Sequence, residues 1–155
     1  MPKRTHTHAG AAMTELVLET FKLNGRLLAV GDKLVKPLGL SSARWQVLGA
    51  IHFAETPQPV AQLARSMGLT RQGVQRIAND LAKDGLVSFE PNPNHKRAQL
   101  IVMTKEGKSA YAAADRNQIQ WVNELSHGFE VEEIKTALSV MEAMRSRIEA
   151  SMNSE

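Results

Sequence analysis

The stretch from Val60 to Met103 constrains the fold most strongly, because two short helical patterns and a hairpin pattern follow one another there. Apolar residues at helical spacing fill residues 60–67, and Gly68 ends that pattern, as a glycine after the last periodic residue commonly does. Thr70 is a suitable N-cap for a second helix, which Gly85 stops. The apolar side of this second helix comprises Val74, Ile77, Ala78 and Leu81. The spacing therefore predicts a helix–turn–helix.

The hairpin pattern begins directly after the second helix. Residues 86–90 have the character of a strand, residues 91–94 (Pro-Asn-Pro-Asn) are dense in turn formers, and residues 98–103 form a returning apolar strand. The tip between the strands contains His95, Lys96 and Arg97. A basic hairpin after a helix–turn–helix predicts a winged helix-turn-helix, which places a helix in the major groove of duplex DNA. The loop before this unit is expected over residues 55–59.

Long helical patterns flank the winged unit on both sides. One runs from Met13 to the breakers Pro37 and Gly39, and a shorter one follows Ser41. After the hairpin, Thr104 is a suitable cap for a helix over 104–125, and a last helix is expected over 131–152. The fold class is thus mainly α (α+β). We expect a flexible arm over residues 1–11 and a single domain over 12–155. Within that domain, the DNA-binding lobe occupies 57–103, and the dimerisation helices occupy 12–36 and 104–152.

Charge is concentrated in the predicted DNA-binding lobe. Between Pro57 and Lys108 the chain has eight Lys or Arg and four Asp or Glu, a net charge of +4, against −1 for the remainder. A basic middle between nearly neutral ends favours a module that binds a polyanion, although chance clustering on a solvated surface has equal weight on charge alone. The chain has no long apolar run and no apolar region near its N-terminus, so we expect a cytoplasmic protein without a membrane partner.

The second helix of the motif presents polar side chains opposite its apolar side. Arginine, glutamine and asparagine pair with guanine or adenine edges and also bind phosphate, and no acid interrupts this face before Asp80. Together with the cap and the hairpin tip, these residues form the predicted DNA-binding set: Thr70, Arg71, Gln72, Gln75, Arg76, Asn79, Lys96 and Arg97.

Catalysis and metal binding find little support in the sequence. The absence of cysteine excludes disulfides, thiolate nucleophiles and thiol redox switches. There is no nucleophile elbow, phosphate loop, dinucleotide fingerprint or histidine–carboxylate cluster on one helix, so we expect no enzyme, no metal and no cofactor. The alternative function is a winged-helix adaptor that binds proteins without DNA specificity. A basic helix face together with a basic wing argues against it.

The motifs of the winged unit resemble the MarR family of bacterial transcription regulators. Residues 60–70 resemble that family's bracing helix and turn, and residues 71–87 resemble its recognition helix and the entry to the wing. Lys96-Arg97-Ala98 and the later Thr104-Lys105-Glu106-Gly107 resemble its wing and the start of the next helix. The similarity extends over about residues 13–150.

This resemblance implies a homodimer whose first and last helices intertwine. Such a dimer would place two recognition helices about one DNA turn apart on a pseudo-palindromic operator. Arg97 matches the wing-tip arginine that enters the minor groove in this family. Phe89 and His95 stand where the family commonly has an arginine–aspartate pair in the wing, so we hypothesise that Phe89–His95 packing holds this wing.

The resemblance also implies a repressor that releases DNA when a small aromatic or lipophilic acid binds. Such an effector sits between the dimerisation and DNA-binding parts of many family members. The residues expected to line the pocket here are Phe21, Arg26, Trp45, His52 and Phe53. Aromatic residues at helical spacing are also commonly core residues, and that alternative remains open.

Overall fold

The computed structural model describes residues 5–153. Its helices are α1 (His8–Val35), a 3-10 turn (Lys36–Leu38), α2 (Ser42–Phe53), α3 (Val60–Met67), α4 (Arg71–Lys83), α5 (Lys105–Leu125) and α6 (Val131–Met152). Its strands are β1 (Gln58–Pro59), β2 (Val87–Glu90) and β3 (Leu100–Met103). This mainly helical architecture with a small antiparallel sheet confirms the predicted winged-helix fold class.

Helix α1 begins earlier than the apolar pattern indicates. The Thr7 hydroxyl accepts the backbone N–H of Gly10 at 3.0 Å and caps a helix whose first residue is His8. Residues 8–11, expected in a flexible arm, are therefore helical. Apolar periodicity missed them because they carry no large apolar side chain. Residues 1–4 of the expected arm lie outside the described residues.

The sheet has three strands in the order β1-β3-β2. The predicted hairpin pairs Val87 with Met103 and Phe89 with Ile101, and its second strand begins at Leu100 rather than at Ala98. Strand β1, which pairs Gln58 with Ile101, lies where we expected only a loop. Two residues are too few to show alternation, and a proline is usually restricted to an edge strand, so sequence reasoning had no signal for this pairing.

The hydrophobic core lies between α2, α3, α4 and the sheet. Fully buried side chains from these elements and from the end of α1 meet there; the largest are Val35, Val47, Leu48, Val74, Leu81 and Ile101. Gly68 and Gly85 follow α3 and α4 with φ of 66° and 74°, in the left-handed region that glycine adopts without strain. Both predicted helix ends are confirmed.

The chain divides into two compact units, one up to Gln118 and one from Ile119, whereas the sequence predicts a single domain over 12–155. The second unit contains the C-terminal end of α5 and the whole of α6. A capping box starts α6: the Glu130 side chain accepts from the backbone of Glu133, and the Glu133 side chain accepts from the backbone of Glu130. No residue of α6 is buried. Within residues 5–153, no helix is long and apolar enough to cross a membrane.

Candidate nucleic-acid interface

Helix α4 is held by its cap and by its apolar side. The Thr70 hydroxyl accepts the Gly73 N–H at 3.1 Å, so Thr70 serves as the N-cap. Val74, Ala78 and Leu81 are completely buried against the core. This packing fixes the rotation of α4 about its axis and turns the opposite side outward.

The outward side of α4 carries the polar residues predicted to contact DNA. Five of them, with Asp80, line an open concave surface of about 670 Å³: Arg71, Gln72, Gln75, Arg76 and Asn79. Gln75 Nε2 donates to Asn79 Oδ1 at 2.9 Å, so the two amides are mutually oriented. This bond leaves Gln75 Oε1 and Asn79 Nδ2 as an acceptor and a donor for a base edge.

The wing tip is shaped by short-range hydrogen bonds. Asn92 Oδ1 accepts the Asn94 N–H at 3.0 Å, and the Asn92 carbonyl accepts the His95 N–H at 3.2 Å. The His95 carbonyl in turn accepts the Ala98 N–H at 3.2 Å. These turns leave the side chains of Lys96 and Arg97 exposed at the tip.

A groove of about 630 Å³ lies between α4 and the wing. Its lining residues are Pro59, Val60, Ala61, Arg71, Gln75, Asn79, Phe89, His95, Arg97, Ala98 and Gln99. The groove therefore brings the polar side of α4 and the wing-tip arginine to one concavity. Lys96 and Thr70 are not among its lining residues. Sequence reasoning missed Ala61, in the first turn of α3, and Gln99, the residue before β3.

Phe89 and His95 both line this groove, but no ring contact joins them. The aromatic ring contacts found among residues 5–153 all involve His52, Phe53 and Tyr111. The structure thus gives no ring contact that supports the hypothesised packing of Phe89 on His95, and the hydrogen bonds found at the tip are those of the turns around Asn92.

The residues predicted to bind an effector are only partly brought together. The His52 ring lies 5.0 Å from that of Phe53 and stacks on Tyr111 with centroids 4.6 Å apart. His52 lines a cavity of about 440 Å³ between the end of α2, β3 and α5, together with Lys108 and Tyr111. Phe21, Arg26, Trp45 and Phe53 are not among its lining residues.

Tyr111 is the member of this cluster that sequence reasoning missed. Burial, and secondarily the charge of Asp115, raises the pKa of its phenol above the ordinary value. The signal for it was the buried stripe of α5, on which Tyr111 falls one turn after Gly107 and before Ala114. Within residues 5–153, no group of three or more His, Asp or Glu side chains is placed to hold a metal ion.

Known proteins are similar to this chain in sequence and in architecture. The family model described as MarR family matches residues 38–98. Rv2011c, an uncharacterized protein of Mycobacterium tuberculosis, is 37% identical over 114 residues, which are 74% of this chain and 78% of that protein. A mutant MarR from E. coli complexed with operator DNA has a TM-score of 0.76 at 21% identity, over 86% of this chain and 95% of that one. CouR from Rhodococcus jostii RHA1 bound to p-coumaroyl-CoA has a TM-score of 0.74 at 19% identity, over 83% and 90% of the two chains. The winged helix-turn-helix, the matching family model and the 37% identity to Rv2011c agree with one another. The chain therefore belongs to the MarR family of transcription regulators.

Proposed function

We propose that this chain is a homodimeric regulator that binds double-stranded DNA at a specific pseudo-palindromic operator and represses transcription until a small effector binds. The observation that carries the proposal is the groove in which Arg71, Gln75 and Asn79 of α4 face the wing residue Arg97. An α-helix fits the major groove, while an arginine beside it reaches the adjacent minor groove. The related E. coli protein complexed with operator DNA supports this use of the fold.

Within the proposed interface, some side chains are suited to contact bases and others to contact phosphates. Gln75 and Asn79 present amide groups suited to adenine, and Arg76 presents a fork suited to guanine. Arg71 and Lys96 supply charge for phosphate contacts, which set register but carry no sequence information. The operator would therefore be recognised through α4 and gripped through the wing.

Homodimer formation is supported by apolar surface that each compact unit exposes. In the first unit, α1 exposes Leu18 and Phe21, the latter 72% exposed. In the second unit, α6 exposes Val131, Leu138 and Ile148, with Val131 63% exposed. Exposed apolar patches on a soluble domain commonly mark an interface. A two-fold dimer would cover them and present two α4 helices to the two half-sites of an operator.

An effector of aromatic or lipophilic acid character is supported by the cavity next to His52. Tyr111 and His52 offer ring surfaces, and Lys108 offers a cation for a carboxylate or phosphate. The related CouR is bound to p-coumaroyl-CoA, an aromatic acyl thioester. Competition of small aromatic acids and their thioesters against operator binding tests this part, with His52→Ala expected to lose the response.

The test of DNA recognition is selection from genomic fragments, followed by gel shifts of the recovered duplex at two salt concentrations. We expect a pseudo-palindromic site whose affinity falls steeply with salt, because phosphate contacts release counterions. Gln75→Ala should weaken binding to the selected duplex. Gln46→Ala, which changes an exposed glutamine of α2, should leave that binding unchanged. Weak binding without sequence preference would refute the proposal of a sequence-specific regulator and favour the alternative, a winged-helix adaptor that binds proteins.

A further inference from the structure

Helix α4 and the wing meet at Asp84, Gly85 and Leu86, here called the junction. The Leu86 N–H donates to the Leu81 carbonyl at 2.9 Å, and Gly85 reverses the chain with φ of 74°. Strand β2 begins at the next residue. The direction in which the wing leaves the recognition helix is therefore set at one glycine.

The start of α5 holds the wing side of the junction. Thr104 Oγ donates to the Gly85 carbonyl at 2.7 Å, and the Thr104 N–H donates to the Leu86 carbonyl at 3.1 Å. Gly107 lies so close that a Cβ there would stand 1.9 Å from the Leu86 oxygen. These contacts leave the wing side little freedom.

Arg44 of α2 holds the helix side of the junction. Its Nη1 donates to the Gly39 carbonyl at 3.1 Å, and its Nη2 forms an ion pair with the Asp84 carboxylate, 40 residues away in sequence. The Arg44 side chain is 20% exposed and that of Asp84 is 52% exposed. Arg44 Nε is the buried side-chain polar atom that lacks a hydrogen-bond partner in the part of the chain that the structure describes. The two terminal nitrogens make the hydrogen bonds of this guanidinium.

Electrostatics explains why the pair belongs at this end of α4. Asp84 is the C-cap residue, where the helix dipole disfavours a negative charge. The Arg44 cation offsets that repulsion. Arg44 and Asp84 line neither the groove nor the adjoining concave surface of α4.

We infer that Arg44 and Asp84 are positioning residues that fix the angle between α4 and the wing. Their ion pair acts on one side of Gly85 and Thr104 acts on the other, so α4 and Arg97 engage the two grooves of one duplex together. This inference rests on the proposed DNA-binding function.

The first test compares Asp84→Asn with Glu19→Gln in operator binding by the full chain. Both variants remove one acid; Glu19 pairs with Lys22 of its own helix at 3.3 Å, and both side chains are exposed. Because α1 also carries proposed dimer surface, both variants are compared at equal dimer content, measured by analytical ultracentrifugation. Removing an acid by itself should tighten binding to a polyanion. We expect Asp84→Asn instead to raise Kd about fivefold, equivalent to about 1 kcal/mol. Circular dichroism at the assay temperature checks that the fold is retained.

Arg44→Lys is the second variant, because it keeps the charge but loses the fork that reaches Gly39 and Asp84 together. It should weaken operator binding to a similar degree. If Asp84→Asn and Arg44→Lys both bind like Glu19→Gln while the wild type binds its operator, the inference is overturned and the proposed function stands. If the wild-type chain selects no duplex, both the inference and the proposed function are refuted.

A double-mutant cycle of Asp84→Asn with Arg97→Ala, measured by operator affinity, separates an effect on wing position from a general loss of stability. If the ion pair acts by placing the wing, Asp84→Asn should cost less than about twofold once Arg97 is absent, because the misplaced contact is already gone. An undiminished fivefold penalty in the Arg97→Ala background would show that the pair does not act through the wing.

Discussion

Gly107→Ala adds only one methyl group, but we expect it to lower the free energy of unfolding substantially. Gly107 is the third residue of α5, and its N–H donates to Thr104 Oγ at 3.0 Å. An added Cβ would stand 1.9 Å from the Leu86 oxygen and 2.9 Å from the Leu86 carbonyl carbon. Ordinary carbon–oxygen contacts are about 3.3 Å or longer, so the backbone must part by about 1.4 Å. A backbone carbonyl cannot rotate away as a side chain would.

Opposing effects determine the size of the loss. Alanine stabilises a helix interior by about 1 kcal/mol relative to glycine. Overpacking costs about 1–3 kcal/mol. Parting α5 from the junction also weakens the two bonds from Thr104 to Gly85 and Leu86, each worth about 1 kcal/mol. We therefore expect the free energy of unfolding to fall by about 2–4 kcal/mol.

Urea denaturation followed by circular dichroism measures this loss, at one protein concentration because subunit association shifts apparent stability. Gly49→Ala in α2 is the matched control. Its Cβ would meet the Tyr111 ring at 3.6 Å, which is ordinary van der Waals contact, so we expect no loss or a gain of up to about 1 kcal/mol. The reasoning fails if Gly107→Ala is as stable as the wild type, or if both variants lose equally.

Four further outcomes are expected. Arg97→Ala should weaken operator binding and reduce the slope of log Kd against log salt by about 1, measured by gel shift at several salt concentrations. Gln75→Ala or Arg76→Ala should each cost about 1–3 kcal/mol on the selected operator and relax the base preference, measured on duplexes substituted at single positions. Truncation after Ala137 should abolish the dimer in analytical ultracentrifugation together with specific binding; a monomer of wild-type affinity would contradict the dimer proposal. Tyr111, the only tyrosine, should ionise above its ordinary pKa of about 10 in the folded chain, and its tyrosinate absorbance should rise at lower pH in urea. Its contribution to stability is thus present below the unfolded pKa and lost as pH rises through the folded pKa, a loss that Tyr111→Phe should remove.

Local signals were sufficient for the recognition helix and the wing. The spacing of Val74, Ala78 and Leu81 sets one buried side and, by the geometry of a helix, leaves Gln72 and Arg76 on the other. Thr70 and Gly85 marked the limits of that helix because caps and left-handed glycines act within a few residues.

Long-range contacts left no such signal. Strand β1 exists because β3 lies beside it, and the Arg44–Asp84 pair joins residues 40 positions apart. Spacing along the chain also grouped Trp45 with His52, although only His52 lines the cavity with Tyr111. Helical periodicity identifies a side of a helix but not the element that covers it.

The sequence by itself determined the order of elements, the polar side of α4, the basic wing and the resemblance to the MarR family, because periodicity, caps and turn residues are local properties. Only the tertiary structure decided that Arg97 shares a groove with Gln75 and that α5 and α2 hold the two sides of the junction. Those relations depend on distances between residues far apart in the chain, which the packing of the core sets and which no local pattern records.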